Sequence, residues 1–395
     1  EIISHIYQDN EGHWVIQSNE DHSAGVAKLA SQFAGEFGMS EWGKVLGLLH
    51  DKGKETDAFQ QYIKKESGYA PDIKICGKHH HAYVGGILAQ KYYGKSSYNL
   101  FVNQIVSHHT GLHDSDEIKE IINQEIPSEV NIYHTKEKLN RPEFNIQAND
   151  FHHLARMLFS CLVDADFLDT EAFMVRESYT LRQNKDALND LLPLLENKLK
   201  DLKAKADSSE INIIRNQIQQ QCLKMADTPT GFYSLTVPTG GGKTLSSLVW
   251  AIKHALKNGQ KRVIIAIPYT SIIVQTASVL RSIFGEENVL EHHSCVDPEQ
   301  IKDEKLKEKM KLATENWDYP IIVTTNVQLF VSMFSNKPSA CRKLHNIVNS
   351  VIILDEVQTL PTDYLQPIVD SLKTYNKLFN VSFLFTTASQ PVLSG

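Results

Sequence analysis

Apolar residues recur near helical spacing over 22–38, 40–50, 53–66, 81–93, 98–109 and 150–176, so the first ~180 residues are predicted to be mostly helical. Asp21 stands where an N-cap would open the first helix, and Gly111 follows the fifth, where a glycine would end it. The stretch 125–149 is polar, carries Pro127 and Pro142, and reads as a loop excursion. Residues 181–206 form a charged helix with spaced leucines from Leu188 to Leu202, ending in Lys-Ala-Asp-Ser-Ser. That pattern reads as a connector between domains, or as a solvated amphipathic helix packed on the first one. From 230 the pattern changes. The β-rich runs Tyr233–Val237, Arg262–Ile267, Ile321–Thr325, Ser350–Leu354 and Val381–Thr386 alternate with helical stretches, which predicts a parallel sheet built from βαβ units.

A length of 395 residues predicts two or three domains at roughly 100–200 residues each. The composition, 42% hydrophobic and 22% charged, is that of a soluble globular protein. No run approaches the ~20 apolar residues of a membrane span, and no secretory signal opens the sequence, so no membrane role is expected. The first residue is Glu1, not Met, so a trimmed N-terminus is expected. Cys76, Cys161, Cys222, Cys295 and Cys341 form no C-x-x-C pair, the usage of a reduced, intracellular protein without disulfide framework or zinc knuckle. The net charge of -7 lacks the basic footprint usual in nucleic-acid binders, although motors contact backbone through amides and hydroxyls.

Histidine placement changes the picture more. Thirteen of the 17 histidines precede residue 155, which points to metal chemistry in the helical part. They follow an order: His22, then His50-Asp51, His81, the doublet His108-His109, and Asp166. A carboxylate has two oxygens and can bridge two cations, and Asp51 is the natural bridge. His22, His50, Asp51 and Asp166 would then surround one metal, and Asp51, His81, His108 and His109 the other. Two divalent ions about 3.5–4 Å apart can activate water and stabilise the attacking and leaving oxygens of a phosphodiester. His79, His80 and His81 are all candidates, and His81 is taken for its spacing to Gly85. Asp164 and Asp166 point about 200° apart on a helix, so one of them faces the metals. His5, His13, His113, His134, His152 and His153 are given no role.

The second constellation is Pro238-Thr239-Gly240-Gly241-Gly242-Lys243-Thr244, which follows an apolar strand and opens a helix. Glycines let backbone N–H groups approach phosphates, Lys243 reaches the β and γ phosphates, and Thr244 ligates magnesium. Val237 stands where the strict phosphate-loop pattern has glycine. The buried-strand run Val351–Leu354 delivers Asp355 to the magnesium shell and Glu356 to the attacking water. Thr239, Gly240, Gly241, Gly242, Lys243, Thr244 and Asp355 are thus the candidate ATP–Mg residues.

The histidine–aspartate order resembles the HD phosphohydrolase superfamily and, more narrowly, the nuclease domain of the CRISPR-associated helicase–nuclease of type I systems. His22-Ser23 and His81-Ala82 resemble its H-[SA]-x-x-G helix starts, Gly85 fitting the second and Gly25 displaced by one in the first. His50-Asp51-Lys52-Gly53-Lys54 resembles its H-D-x-G-K turn, which implies that Lys54 faces the scissile phosphate. The family's Ala-Asp pair selects Asp166. Asp51, Lys54 and Glu356 are the catalytic candidates by this resemblance. Downstream segments resemble superfamily 2 helicase motifs, where the Val237 departure is usual. Pro268-Tyr269-Thr270-Ser271 and Thr324-Thr325-Asn326 resemble motifs that touch DNA backbone, making Thr270, Ser271, Thr325 and Asn326 DNA-binding candidates. Thr387-Ala388-Ser389 resembles the motif coupling hydrolysis to DNA, with Ser389 where threonine is commoner, and Gln358 stands where many helicases have histidine. Arg215–Gln221 is read as plain helix rather than as the upstream adenine-contacting motif.

The resemblance implies an all-α HD-type metal hydrolase domain over 1–180, a helical connector over 181–210, and an α/β RecA-like P-loop lobe over 211–395. It implies a metal-dependent single-stranded DNA nuclease coupled to an ATP-driven 3′–5′ helicase, acting in prokaryotic cytoplasm on DNA exposed by a crRNA-guided type I surveillance complex. A phage-encoded inhibitor is a further implied partner. Manganese, nickel, cobalt or iron suit histidine-rich ligands. The sequence ends at Gly395, just after the third motor motif, so a second lobe with its arginine finger is expected to be absent and ATP turnover to be near background. A repair nuclease–helicase without a CRISPR partner is one alternative. An HD nucleotide phosphohydrolase or interaction module is another.

Overall fold

The structure is a computed structural model that describes all residues except 78, 95–97, 133–135, 141, 142, 144, 184, 239, 295–300 and 389–395. The chain forms two compact units. One comprises Glu1–Thr180 with Ser335–His345, and the other Leu181–Phe334 with Asn346–Gly395.

The first unit opens on a hairpin that the periodicity does not predict. Strands β1 (Ile3–Gln8) and β2 (Trp14–Ser18) pair antiparallel. Asp9 Oδ1 accepts from the amides of Glu11 at 2.9 Å and His13 at 2.8 Å, a local side-chain bond that closes the turn. These strands are too short to show a clear alternation, so they carry little sequence signal. The helices follow as α1 (Asn19–Gly35), α2 (Ser40–Leu49), α3 (Asp57–Glu66), α4 (Ala82–Tyr93), α5 (Asn103–Ser107), α6 (Ser115–Ile122) and α7 (Phe151–Met174). Ser18, not Asp21, is the N-cap of α1: its Oγ accepts from the Asp21 amide at 3.0 Å, placing Asp21 in the first turn. Gly111 at φ +111 does end the doublet segment, donating its amide to Ser107 O at 2.8 Å.

Helix α7 is the axis of this unit. It packs against α1, α2 and α5 and buries Leu154, Met157, Leu158, Leu162 and Ala165. Each such leucine stabilises by roughly 1.5–3 kcal/mol, enough for a few turns to fix the helix register. The short helix α15 (Pro338–Cys341) also packs on α7.

Helix α8 (Arg176–Gln183) leads into the second unit, which contains α9 (Leu188–Lys205), α10 (Glu210–Met225), β3 (Phe232–Thr236), α11 (Lys243–Lys257), β4 (Arg262–Ile267), α12 (Thr270–Phe284), β5 (Val289–His292), α13 (Glu304–Asn316), β6 (Ile321–Thr325), α14 (Asn326–Phe334), β7 (Ser350–Asp355), α16 (Leu365–Phe379) and β8 (Ser382–Thr387). The strands form one parallel sheet in the order β3-β8-β7-β4-β6-β5. Every residue of β4 is buried, as expected of a central strand covered on both faces. The edge strand β5 gives no clear sequence signal because its four residues, VLEH, end in polar side chains. Helix α9 buries Leu188, Leu191 and Leu195 in the apolar core of this second unit, together with Leu248, Ile252 and Ile273. Among the described residues no helix is long and apolar enough to cross a membrane.

Candidate metal centre and nucleotide site

The ordered set reaches one pocket from five elements. His22 lies in the first turn of α1, His50 caps the C-terminus of α2, His81 precedes α4, His108 follows α5, and Asp166 projects from α7. Gly53 and Gly85 let these elements close up: a Cβ on Gly53 would meet His81 O at 2.0 Å, and one on Gly85 would meet Leu49 O at 1.9 Å. That is the physical reason for glycine in the His-Asp-Lys-Gly-Lys turn and after His81.

The ligand atoms gather around Asp51. Its Oδ2 lies 3.3 Å from both His22 Nε2 and His50 Nε2, and its Oδ1 lies 3.2 Å from His81 Nε2 and 3.4 Å from His108 Nε2. Asp166 Oδ1 is 3.2 Å from His22 Nε2 and 3.7 Å from His50 Nε2, and His109 Nε2 is 2.9 Å from His81 Nε2. Two sets result, His22, His50, Asp51 and Asp166, and Asp51, His81, His108 and His109, each with its ligand atoms within 4.8 Å of one another. His79 instead stacks on Tyr62 at 4.2 Å, and Asp164 faces Arg342 and His345.

The donor set fits divalent cations. His50 Nδ1 lies 2.8 Å from Gly47 O and His108 Nδ1 2.6 Å from Ile105 O. A carbonyl can only accept, so both Nδ1 atoms carry a proton and both Nε2 atoms turn into the pocket, where a cation can take the place of a second proton. Those Nε2 atoms, His22 Nε2 and Asp51 Oδ1 are buried without a hydrogen-bond partner. Ligand atoms ~2.1 Å from a shared ion lie about 3.0–3.4 Å apart, the separation seen around Asp51. Charge tells the same story. Burial would lower the His22 pKa, but the neighbouring carboxylates of Asp166, Asp169 and Asp51 outweigh it and lift it to about 10. Burial likewise opposes the charged form of His50, and Asp51 and Asp166 raise it to about 9. Burial also opposes ionisation of Asp51, yet the charges of His50 and Lys54 hold its carboxyl well below the usual range. His109 moves the other way, to about 3, because its ring is partly desolvated against its neighbours His108 and His81, although the residue keeps an exposed face.

Lys54 stands beside the candidate bridge: it is buried, its Nζ 2.7 Å from Asp51 Oδ2 and 3.0 Å from Ser4 Oγ. A buried ammonium is costly unless paired, and Asp51 is the pair. His109 is the exposed member of the ligand set.

In the second unit, β3 leads into the glycines and α11 begins at Lys243. Gly240 and Gly242 have φ of +83 and +79, backbone that L side chains resist and that turns amides toward a phosphate. Lys243 Nζ is 2.8 Å from Asp355 Oδ1 and 2.6 Å from Glu356 Oε1, the acids delivered by β7. Burial would lower the Lys243 pKa, but those two carboxylates raise it. Glu356 has φ +47, a strained position for glutamate that is held by Lys243 and by Gln358 Nε2 at 2.6 Å. Thr244 stands beside Lys243 at the start of α11, and Thr239 lies outside the described residues.

Two further residues touch this site. Arg215 lies on helix α10, as expected of plain helix, yet its Nε and Nη2 donate to Gly240 O at 2.9 and 2.7 Å. With Asn216, Gln219, Gly242, Lys243 and Thr244 it lines a cavity of about 770 Å³. The Thr386 hydroxyl donates to Asp355 Oδ1, joining the end of β8 to that of β7. A threonine inside a β run shows no local sign of this role, whereas Arg215 opens the stretch whose sequence reads as plain helix rather than as an adenine-contacting motif.

The sequence matches the HD domain family over residues 19–143 and the DEAD/DEAH box helicase family over 216–393. It is 28% identical over 188 residues to the CRISPR-associated nuclease/helicase Cas3 of Haloferax volcanii, a match spanning 42% of this chain and 20% of that protein. It is 36% identical over 137 residues to the Cas3 protein of Methanocaldococcus jannaschii, spanning 32% of this chain and 18% of that one. The chain joins an HD domain to a DEAD/DEAH box helicase domain, and the relatives it resembles are CRISPR-associated Cas3 proteins.

The fold agrees. The crystal structure of T. fusca Cas3 with AMPPNP aligns over 96% of this chain and 49% of that one, with a TM-score of 0.61 at 16% identity. A chain described as a CRISPR RNA-guided surveillance complex, pre-nicking, aligns over 94% of this chain and 42% of that one, with a TM-score of 0.50. The chain thus spans about half the length of the T. fusca protein and a smaller share of the curated relatives. Within this HD–helicase fusion the candidate DNA residues share one edge of the sheet. Thr270 and Ser271 open α12 after β4, and Thr325 and Asn326 join β6 to α14, with Ile267 and Thr325 paired across the two strands. Ser271 is exposed. Asn326 is buried, and Thr325 Oγ1 accepts from the Gln328 amide at 2.9 Å. Ser389 lies outside the described residues.

Proposed function

We propose that this chain carries the nuclease part, 1–180, a connector over 181–210 and the first motor lobe, 211–395, of a Cas3-type enzyme that cleaves single-stranded DNA. The observation that carries the reading is Asp51, whose two oxygens face two sets of histidine nitrogens, in the same chain as a phosphate loop paired with two acids. Bound divalent transition metals (manganese, nickel, cobalt or iron) would supply Lewis acidity toward water and the phosphodiester.

The residues divide that work. Asp51 spans both positions. Asp166 adds the second carboxylate to the buried set, and His50 and His108 present fixed Nε2 atoms because carbonyls hold their Nδ1 protons. Lys54 balances the charge of Asp51. His109, exposed, borders the side from which a strand enters. In the other unit Lys243, Thr244 and the glycine amides would hold ATP phosphates, Asp355 the magnesium, and Glu356 the attacking water. Phosphoryl transfer in such motors draws on an arginine from a facing lobe, so the proposal includes weak ATP turnover by these residues alone. The Cas3 relatives support a place in CRISPR interference, with recruitment by a crRNA-guided complex, 3′–5′ movement and a phage inhibitor as its further parts.

The test is metal-dependent cleavage of circular single-stranded DNA by the chain, run beside turnover of deoxynucleoside triphosphates. Cleavage of the circle without triphosphate turnover supports the proposal. Triphosphate turnover with an intact circle favours the nucleotide phosphohydrolase reading and overturns it.

A further inference from the structure

Asp169 lies outside the ligand set, yet it touches it. Its Oδ2 is 2.8 Å from His22 Nδ1 and accepts from Gln17 Nε2, also at 2.8 Å. Asp166 and Asp169 are three residues apart on α7 and therefore share a face. One imidazole is thus held between two carboxylates of one helix, Asp166 at Nε2 and Asp169 at Nδ1. The room for the second comes from Gly25, where a Cβ would meet Asp169 Oδ1 at 1.9 Å. Behind Asp169 the contacts continue into the hairpin. Gln17 Oε1 is 2.8 Å from His5 Nδ1, and the His5 ring meets His22 edge-on with centroids 4.6 Å apart.

We propose that Asp169 is a positioning residue for the metal centre: it fixes His22 with Nδ1 protonated and Nε2 facing the cation position, and Gln17 and His5 tie the N-terminal hairpin to that task. The inference rests on the reading of His22 as a metal ligand. A carboxylate accepts from Nδ1–H and cannot donate, so the Nε2 lone pair is left for the cation. His50 and His108 obtain the same tautomer from backbone carbonyls, whereas His22 depends on a side chain. Orienting groups of this kind typically contribute 10–100-fold in metal affinity. Gly25 follows from the same geometry, since a side chain there would push the carboxylate off His22 without changing any polar group.

The experiment titrates the metal-free full chain with Mn²⁺ by calorimetry and reads the His22 tautomer from imidazole ¹⁵N shifts of the chain loaded with diamagnetic Zn²⁺. Asp169→Ala is expected to weaken the tighter Mn²⁺ step by about 10–100-fold and to abolish the Nδ1–H preference of His22. Asp169→Asn keeps an accepting oxygen and should restore most of both. Gly25→Ala should reproduce Asp169→Ala, which provides a second reading should the latter fail to fold. Unchanged Mn²⁺ affinity and tautomer in Asp169→Ala or Gly25→Ala would overturn the inference. His22→Ala separates the two levels: if it binds Mn²⁺ like wild type, the ligand reading itself falls, and if it loses the tight step while Asp169→Ala keeps it, only the role of Asp169 falls.

Discussion

Arg342 Nε donates to Asp164 Oδ1 at 2.8 Å, and His345 Nε2 lies 2.8 Å from the other oxygen of the same carboxylate. The pair is buried, and Asp164 precedes Asp166 by two residues on α7. Both partners come from Ser335–His345, the stretch in which the chain returns to the first unit. The His345 amide donates to Ser160 Oγ at 3.0 Å and its ring stacks on Phe33 at 4.0 Å, so the whole stretch seats on the helix that carries Asp166.

Asp164 should therefore govern stability rather than metal content. Burial would raise its pKa, but the hydrogen bond from His345 and the charge of Arg342 outweigh burial and bring it to about 2. A carboxyl lowered from an unfolded value of ~3.9 contributes its stability fully above that value and loses it as pH falls toward 2, in all about 2–3 kcal/mol. Asp164→Asn should lower urea-unfolding stability by about that much at pH 7 and flatten the acid limb below pH ~4. Elemental analysis should find wild-type metal in Asp164→Asn and a deficit in Asp166→Asn. The reverse pattern would place the ligand at 164.

Asp51→Ala should abolish DNA cleavage and release both cations, because its oxygens are common to both ligand sets. ATP binding, measured by fluorescent-analogue titration, should be unaffected, since the phosphate loop belongs to the other unit. Near wild-type cleavage by this variant with added metal would move the active centre elsewhere.

Much of the site and the sheet is legible in the amino-acid order alone. The residues that gather around Asp51 are, because His50-Asp51, Gly53 and Gly85 are adjacent in sequence to what they serve and mark close approaches. The sheet is, because β4, β6 and β7 are buried on both faces and read as continuous apolar runs. What escapes depends on contacts between distant residues. Asp169 meets His22 across 147 positions with no local pattern to announce it, and Arg215 meets Gly240 across 25, where the stretch from Arg215 reads as plain helix. For a related reason the motif gives the position of Lys54 but not the burial that turns its ammonium onto Asp51.

Arg215→Ala should loosen the phosphate loop rather than remove a phosphate contact. Arg215 is exposed and its hydrogen bonds to Gly240 O are solvent-screened, so the expected loss is about 1 kcal/mol, or roughly fivefold in ATP affinity. Lys243→Ala should cost far more, since Lys243 is the cation placed between the loop and both acids. Equal effects of the two variants on nucleotide binding would contradict this division.

The two cation positions should also differ in how easily they empty. His22, His50, Asp51 and His108 are buried, His81 is partly so, and His109 is exposed. The set containing His22 adds a second carboxylate, Asp166, whereas the set containing His109 has only the shared Asp51. An exposed neutral ligand without a second acid binds a divalent ion less tightly and exchanges it with solvent faster. His109→Ala should therefore lose one cation and keep the other, so that Mn²⁺ bound per chain, counted by electron paramagnetic resonance after gel filtration, falls by half. His22→Ala should impair the tighter site first. Both variants should lose cleavage of single-stranded DNA, because attack and departure of the phosphodiester oxygens call on the pair. Loss of both ions in His109→Ala, with wild-type folding by circular dichroism, would show that the positions fill as a unit and would remove the ranking by exposure.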